Sequence, residues 1–359
     1  MNRNALVPVR QRLDSLDGWR TISVALVVVD HLVRYSSIGT HDKRFSTFDG
    51  YGHLGVEIFF VISGFVICRG FEKELSGSGR ISIAAFYIRR CFRIIPPLFV
   101  YLVAITLLSL LGIVDYQISA LPRALTFTCN IWDGCGGFVA NHLWSLSVEE
   151  QFYLVFPLLL IVLAQKRKAA LGIAVCGFPI MLLALNALKL SGLAHYFSDF
   201  LCIAAGVACA EYESEIRNIC RILPKWTPDV CFFALLLVVT VLGPDLWSTL
   251  ARYFLIPPLI ALSLMSTVFH NSLTNRLLSS SVFTAIGRST YTLYLWQEVA
   301  TAPYGSAGYF FYSFSVAGCV GLSCLSFFFV ERRLIGIGAR ISNSVRNKTV
   351  PISSVPTAG

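Results

Sequence analysis

Long apolar runs, separated by short polar and basic segments, alternate along this chain as far as residue 330. A helix needs about 20 mostly apolar residues to cross the ~30 Å hydrocarbon core of a bilayer. Ten runs approach that length, and each predicts a spanning helix: 21–38, 53–69, 94–114, 142–164, 169–188, 194–210, 229–243, 249–269, 282–301 and 308–330. The pattern therefore predicts an all-α, polytopic membrane protein with about ten transmembrane helices.

Positive charge is distributed unevenly between the segments that join these runs. With the N-terminus in the cytoplasm, 23 of the 29 lysines and arginines fall on the cytoplasmic side and six on the opposite side. Cytoplasmic loops are enriched in these residues, so we expect both termini to be cytoplasmic. The net charge of +9 then reflects topology, and no nucleic-acid partner is expected. Only 14% of the residues are charged, against about 25% in soluble domains, which excludes a soluble globular enzyme.

The chain divides into one long membrane domain and a short tail. Residues 1–338 form the predicted membrane domain, and residues 339–359 are expected to be a disordered cytoplasmic tail. The first run carries Asp30 and His31 and has no small-residue cleavage site after it, so we expect it to be retained. Cys129 and Cys135 share the loop 115–141 and could pair in an oxidising compartment, which the sequence does not decide. No Cys-x-x-Cys pair is present, and no metal site is predicted.

A histidine lies near the middle of the first run, where an ionisable group is costly and marks a candidate functional site. His31 follows Arg20 by eleven residues, which places both side chains on one helix face about 16 Å apart along the axis. A neutral imidazole can take the proton of a hydroxyl group. It can also carry an acyl group covalently. The sequence leaves both roles open.

Three further arginines precede the third run. Arg89, Arg90 and Arg93 are expected to crowd the cytoplasmic surface beside Arg20. Guanidinium groups bind phosphates in a bidentate manner, so we predict that the four arginines bind the phosphates of a donor molecule. Ordinary positively charged flanks of a membrane helix are the alternative.

Glutamates interrupt the second and fourth runs, and we expect Glu57, Glu149 and Glu150 to cluster in the outer half of the membrane. Because consecutive helical residues diverge by 100°, one of Glu149 and Glu150 should face the bundle interior. Both are predicted to be catalytic. Acceptor-binding or structural roles are predicted for Glu57, Ser145, Ser147 and Tyr153. Hydrogen bonding between helices is the alternative for all of these residues.

Four motifs in this order resemble the acyltransferase-3 family of bacterial membrane enzymes. They are Arg20 with His31, the segment Gly55–Phe60, Arg90 with Arg93, and the Trp-Ser-Leu-Ser-x-Glu-x-Gln-Phe-Tyr stretch at 144–153. A weaker match at 287–296 ends at Trp296. Many relatives have a histidine after that tryptophan, whereas this chain has Gln297.

The resemblance implies an enzyme of the bacterial inner membrane. It would transfer an acyl group, usually acetyl, from cytoplasmic acyl-CoA to a sugar hydroxyl of a glycan or lipid-linked oligosaccharide, such as an exopolysaccharide, O-antigen or lipo-oligosaccharide. Acyl-CoA would be a substrate, and no permanently bound cofactor is expected. The alternative function is a transporter or flippase of an anionic glycolipid, in which the buried charges would line a permeation path.

Overall fold

The fold is known from a computed structural model that describes residues 9–35, 50–131, 134–163, 191–241, 254–302 and 321–348. Isolated positions between 166 and 188 and between 317 and 320 are also described. Every regular element in these ranges is helical, as predicted. The α-helices are α1 (Val9–Tyr35), α2 (Tyr51–Ser78), α3 (Ile83–Leu110), α4 (Leu121–Leu125), α5 (Phe138–Asn141), α6 (Leu143–Val162), α7 (Ser191–Glu211), α8 (Glu213–Ile222), α9 (Thr227–Val241), α10 (Ile256–Phe269), α11 (Leu273–Leu278), α12 (Ser281–Arg288), α13 (Thr290–Thr301) and α14 (Arg332–Lys348).

Three helical stretches among the described residues are long and apolar enough to cross a membrane: α2, α3 and Phe138–Val162, which joins α5 to α6. The pair α8 and α9, bent by 104°, would make a fourth if it counts as one span. Helix α3 buries Tyr101 and Leu102 but leaves Phe99 60% and Leu110 68% exposed. Large apolar faces of this kind are unfavourable in water and suit lipid. These helices indicate a membrane protein, and the ten-span count and the cytoplasmic termini stay predictions.

Several predicted boundaries differ from the observed helices. The run 282–301 is two helices, because α12 ends at Arg288 and α13 begins at Thr290. Residues 339–348, which were expected in the disordered tail, are helical and form the second half of α14, which packs against α3. Residues 349–359, most of the run 169–188 and the first part of the run 308–330, up to residue 316, lie outside the described residues.

Helix α2 packs closely against α1 and α7. At the crossing with α7, a Cβ added to Gly64 would lie 2.1 Å from the carbonyl oxygen of Ile203. A Cβ added to Gly206 of α7 would lie 2.0 Å from the carbonyl oxygen of Val61. Small residues at a helix crossing let two backbones approach closely, so the two glycines together set the distance between α2 and α7.

We expect Gly206→Ala to destabilise the protein by about 2 kcal/mol, because the added methyl group overpacks the crossing. Gly77→Ala is a matched control, since nothing lies within 4 Å of a Cβ at that position on α2. Thermal unfolding in detergent micelles should show a lower Tm for Gly206→Ala and an unchanged or higher Tm for Gly77→Ala. Equal Tm values for the two variants would contradict the close crossing.

The segment between α4 and α5 contains a disulfide bond. Cys129 and Cys135 are joined, with their Cα atoms 5.1 Å apart, so the structure pairs the two cysteines whose state the sequence left open. The backbone N–H of Cys129 donates to the hydroxyl oxygen of Ser147, 3.3 Å away. The closed loop is thereby attached to the start of α6.

Candidate active site

A cavity lies between α1, α2, α3, α6 and α13. We call it the central cavity. It is unusually polar for the interior of an apolar helix bundle. Three cations, one carboxylate and several hydroxyl groups line it: Arg20, Arg90, Arg93, Glu149, Ser63, Ser145, Tyr153, Thr290, Tyr291 and Tyr294.

The arginines of the central cavity come from two helices. On α1, Arg20 pairs with Asp17 at 2.7 Å, as the i, i+3 spacing predicts. On α3, the guanidinium of Arg90 lies 4.5 Å from the centre of the Tyr153 ring, a cation–π contact. Arg93 also lines the cavity, whereas Arg89 does not. The predicted four-arginine cluster is therefore three arginines in one cavity, with Arg89 outside it.

Glu149 is held at the cavity wall by two hydroxyl groups. Its Oε1 accepts hydrogen bonds from Ser63 of α2 and from Tyr153, one turn further along α6. The two hydroxyl oxygens lie 3.2 Å from each other. Hydrogen bonds to a carboxylate are stronger than those between neutral groups. This arrangement fixes one negative charge in a cavity that carries three positive ones.

Of the three glutamates that were expected to cluster, only Glu149 lines the central cavity. Glu57 lies by the Nε2 of His53 at 3.5 Å, and the same nitrogen is 3.8 Å from Asp199 of α7. Glu149 lines the central cavity and Glu150 does not, although the Oε1 atom of Glu150 is also buried. Glu149 and Glu150 differ in their surroundings because neighbouring residues of a helix diverge by 100°. Glu57 and Ser63 lie at different positions on α2 and therefore have different neighbours.

The two predicted serines of α6 have different surroundings. Ser145 lines the central cavity, and its Oγ lies 2.6 Å from the hydroxyl oxygen of Tyr294. Ser147 donates to the carbonyl oxygen of Leu143 and accepts from the backbone of Cys129. Ser147 therefore has a structural role in attaching the disulfide loop.

His31 lies beyond the central cavity rather than on its wall. Its Nδ1 is 2.9 Å from the Oε1 of Gln297 on α13. Gln297 is 2% exposed. Tyr294 lines the cavity and precedes Gln297 by three residues, a rise of about 4.5 Å. His31 is thus bonded to a residue one helical turn from the cavity. Many relatives have a histidine at the position of Gln297. In this chain Gln297 is the partner of His31, the predicted catalytic histidine.

Sequence reasoning missed a second histidine pair beside this one. The Nδ1 of His142 lies 2.7 Å from Glu298 Oε2, and the backbone N–H of His142 donates to both oxygens of the same carboxylate. Both residues are almost fully buried. Consecutive residues of α13 therefore hold one imidazole each. The available signal was a carboxylate within an apolar helix, which is rare without a function.

One group of side chains in the described part of the chain is close enough to share a metal ion. The ligand atoms of Cys68, Glu72 and Glu211 lie within 4.8 Å of one another. None of the three lines the central cavity. The candidate chemistry of that cavity therefore depends on arginine, glutamate, hydroxyl and imidazole groups.

Comparison with known proteins identifies the family of this chain. The model of the acyltransferase-3 family, described as an acyltransferase domain, matches residues 13–330. The chain belongs to the acyltransferase-3 family. In this acyltransferase-3 protein, residues from four separate motifs reach one place, because Arg20, Arg90, Arg93 and Glu149 meet at the central cavity together with Val56, Phe59 and Phe60 of the Gly55–Phe60 segment.

Relatives of this acyltransferase-3 protein carry O-acetyltransferase names. A protein of Staphylococcus aureus strain COL, provisionally named an O-acetyltransferase, is 26% identical over 312 residues. The O-acetyltransferase OatA of strain NCTC 8325 is 26% identical over 321 residues. Each match covers 79% of this chain and 50% of the relative, so the chain spans about half the length of the curated relatives it matches. No solved structure gives a significant match.

Proposed function

We propose that this protein is a membrane O-acetyltransferase that moves an acetyl group from acetyl-CoA to a sugar hydroxyl of a glycan. The observation that carries the proposal is the central cavity, which combines three arginines and Glu149 one helical turn from the residue that holds His31. Membership of the acyltransferase-3 family and the names of the relatives support it.

The donor would be held by its phosphates. Arg20, Arg90 and Arg93 offer guanidinium groups suited to bidentate contacts with phosphate oxygens. Arg20 and His31 stand about 16 Å apart along α1, a distance that the extended arm of CoA would cover. The distribution of lysine and arginine favours entry of the donor from the cytoplasm, across the inner membrane of a bacterium.

The contact between His31 Nδ1 and Gln297 Oε1 supports Nε2 as the reacting nitrogen. An amide oxygen only accepts, so Nδ1 carries the hydrogen and the neutral ring keeps its lone pair on Nε2. As a base, Nε2 takes the proton of the sugar hydroxyl. The sugar oxygen then attacks the thioester carbon, the C–O bond forms, the C–S bond breaks, and the proton passes to the departing thiolate.

The second route uses the same nitrogen as a nucleophile. Nε2 attacks the thioester carbon, an N–C bond replaces the C–S bond, and the CoA thiolate leaves. The sugar oxygen then attacks the acetyl carbon, the N–C bond breaks, and the hydroxyl proton is released to solvent or to a neighbouring base. Either route requires Nε2 in a fixed orientation, which the bond to Gln297 provides.

The acceptor would be bound beside Glu57. The His53 ring stacks on Trp144, with the ring centres 6.2 Å apart, and has the carboxylates of Glu57 and Asp199 next to it. Aromatic faces and carboxylates are groups that contact the apolar faces and the hydroxyls of sugars. Ser145 follows Trp144 and lines the central cavity, so an acceptor at this cluster would approach the same cavity as the donor.

The function is tested with the purified full chain in lipid nanodiscs, radiolabelled acetyl-CoA and a glycan extract. We expect label to move to the glycan only when the protein is present. A transporter or flippase would move glycolipid between the leaflets of reconstituted vesicles without transferring label. Folded protein that neither binds CoA nor transfers acetyl groups would overturn the enzyme proposal.

A further inference from the structure

Helix α13 contacts two histidines through consecutive residues, and only one of these two residues carries a charge. Gln297 contacts the Nδ1 of His31 through a neutral amide. Glu298, the next residue, contacts both the backbone and the ring of His142 through a carboxylate. Neither proposed route uses Glu298 or His142, although a carboxylate at such a position is costly and rare without a function.

The carboxylate of Glu298 is almost fully buried and has three contacts with His142. The backbone nitrogen of His142 lies 3.1 Å and 3.2 Å from its two oxygens, and Nδ1 lies 2.7 Å from Oε2. An ionised carboxylate only accepts hydrogen bonds, and a neutral imidazole that carries its hydrogen on Nδ1 can donate one. His142 can therefore hold an ionised Glu298 without cancelling its charge.

This pair lies next to His31. The Cα atoms of Gln297 and Glu298 are about 3.8 Å apart, as for any two neighbours in a chain, and Gln297 contacts His31 directly. The ring of Phe138, one turn before His142, lies 6.3 Å from the ring of His31. The charges of Glu298 and His142 act on His31. The two histidines are therefore neighbours on the same part of α13.

The carboxylate of Asp30 also acts on His31, from the preceding position on α1. It packs against α2, because a Cβ added to Gly52 would lie 2.6 Å from the Oδ2 of Asp30. Consecutive residues of a helix diverge by 100°, so Asp30 and His31 leave α1 in different directions. Glu298 is the carboxylate on the α13 side, beside the residue that His31 contacts.

His31 becomes positively charged in both proposed routes. As a base, Nε2 gains the proton of the sugar while Nδ1 keeps its hydrogen, which gives an imidazolium. As a nucleophile, Nε2 gains the acetyl group while Nδ1 keeps its hydrogen, which gives an acetylimidazolium. The amide of Gln297 is neutral and balances neither charge. In a buried site of low dielectric, a fixed charge of opposite sign stabilises such a state.

We propose that Glu298, held in place by His142, is the counter-charge of His31 during acetyl transfer. The inference rests on the proposed function and deepens it by assigning the second buried pair. Glu298 acts through His31 and contacts neither the sugar nor the thioester. No atom is transferred to it, since the proton or the acetyl group stays on Nε2 until it passes to the CoA thiolate or to the sugar oxygen.

Glu298→Gln removes the charge and keeps the shape of the side chain. We expect kcat for acetyl transfer in nanodiscs to fall by about 10²-fold with an unchanged KM for acetyl-CoA, because the charge acts on the reacting state. Glu331→Gln is the matched control. Glu331 is a buried carboxylate that accepts from Thr292 of α13 and does not line the central cavity. Its kcat should equal that of the wild type.

Moving the charge by one residue distinguishes a counter-charge from a structural contact. The double variant Gln297→Glu with Glu298→Gln places a carboxylate at the Nδ1 of His31. We expect its kcat to be at least about tenfold higher than that of Glu298→Gln alone. A merely structural role predicts no recovery, because His142 still lacks its carboxylate. The absence of recovery, or a wild-type kcat in Glu298→Gln, would overturn the inference.

His142→Asn tests the other half of the pair. The side-chain nitrogen of asparagine can take the place of Nδ1 as a donor to Glu298, whereas Nε2 is lost. We expect kcat within about tenfold of the wild type. A loss of about 10²-fold at normal Tm would show that the imidazole of His142 itself transfers a proton, and would contradict the inference. This variant decides the matter if circular dichroism shows that Glu298→Gln does not fold.

The outcomes separate this inference from the proposed function. If the wild type transfers acetyl groups and Glu298→Gln does so at the same rate, the proposed function stands and Glu298 is not the counter-charge. A folded wild type that neither binds CoA nor transfers acetyl groups overturns both.

Discussion

His31→Ala should lower acetyl transfer by about 10³-fold while the protein still reaches the membrane and folds, because a general base contributes about 10²–10⁴-fold to a rate. The substitution removes Nε2, which both proposed routes require. It also leaves the buried Oε1 of Gln297 without its imidazole partner. We expect a modest loss of stability of about 1–3 kcal/mol from that oxygen, which a lower Tm would report separately from the rate.

His270→Gln is the matched control for this variant. His270 is a buried histidine whose ring nitrogens lie near the carbonyl oxygens of Ser266 and Leu223, and it does not line the central cavity. We expect its acetyl transfer to equal that of the wild type. Wild-type turnover in His31→Ala would remove His31 from the mechanism.

The same preparation distinguishes the two routes. Wild-type protein incubated with labelled acetyl-CoA and no acceptor should carry label on His31 if the imidazole is an acyl carrier. No label on the protein, with normal transfer once acceptor is added, would identify His31 as a base. The separation follows from chemistry, because only the carrier route forms an N–C bond before the sugar arrives.

Glu149→Gln should lower kcat/KM for acetyl transfer by about 10²-fold, since charge-assisted hydrogen bonds are the strong ones and a neutral amide cannot replace them. The carboxylate accepts from Ser63 and Tyr153 and supplies the one negative charge on the described wall of the central cavity. Its loss would leave two hydroxyl groups misoriented and would remove the one carboxylate that lines the cavity together with the three arginines. Initial rates at varied acetyl-CoA concentrations measure the effect.

Glu150→Gln provides the comparison one residue away. Glu150 lies on the same helix but outside the lining of the central cavity. We expect its effect on kcat/KM to be about tenfold smaller than that of Glu149→Gln, as for a residue that does not contact the reacting groups. A larger loss in Glu150→Gln would reverse the assignment of the two glutamates and contradict the geometry of the cavity.

The positions of individual helices were largely predictable from the sequence, because the apolar runs mark the helices. The runs 53–69 and 194–210 fall within α2 and α7, and the described part of the run 229–243 falls within α9. Prediction failed where packing overrides composition. The break at Ser289 and the helix through 339–348 depend on contacts with other helices, and α14 packs against α3.

Most residues of the candidate site could be predicted from the sequence, but which of them lie together could not. Arg20, Arg90, Arg93, Glu149, Ser145 and Tyr153 all line the central cavity. Glu57 and Ser147 lie elsewhere, and Glu298 was missed. Spacing along one helix gives the face that a side chain occupies. It does not say which helix lies opposite that face.

The sequence alone determined that this is a helical protein suited to a membrane, that His31 and Arg20 share a face of α1, and that its motifs resemble one family. Those results follow from the fixed geometry of a helix and the cost of burying charge. Only the tertiary structure decided that Gln297 contacts His31, that Glu149 rather than Glu150 lines the central cavity, and that α14 packs against α3. These contacts join residues that are far apart in the chain, and they depend on how whole helices pack.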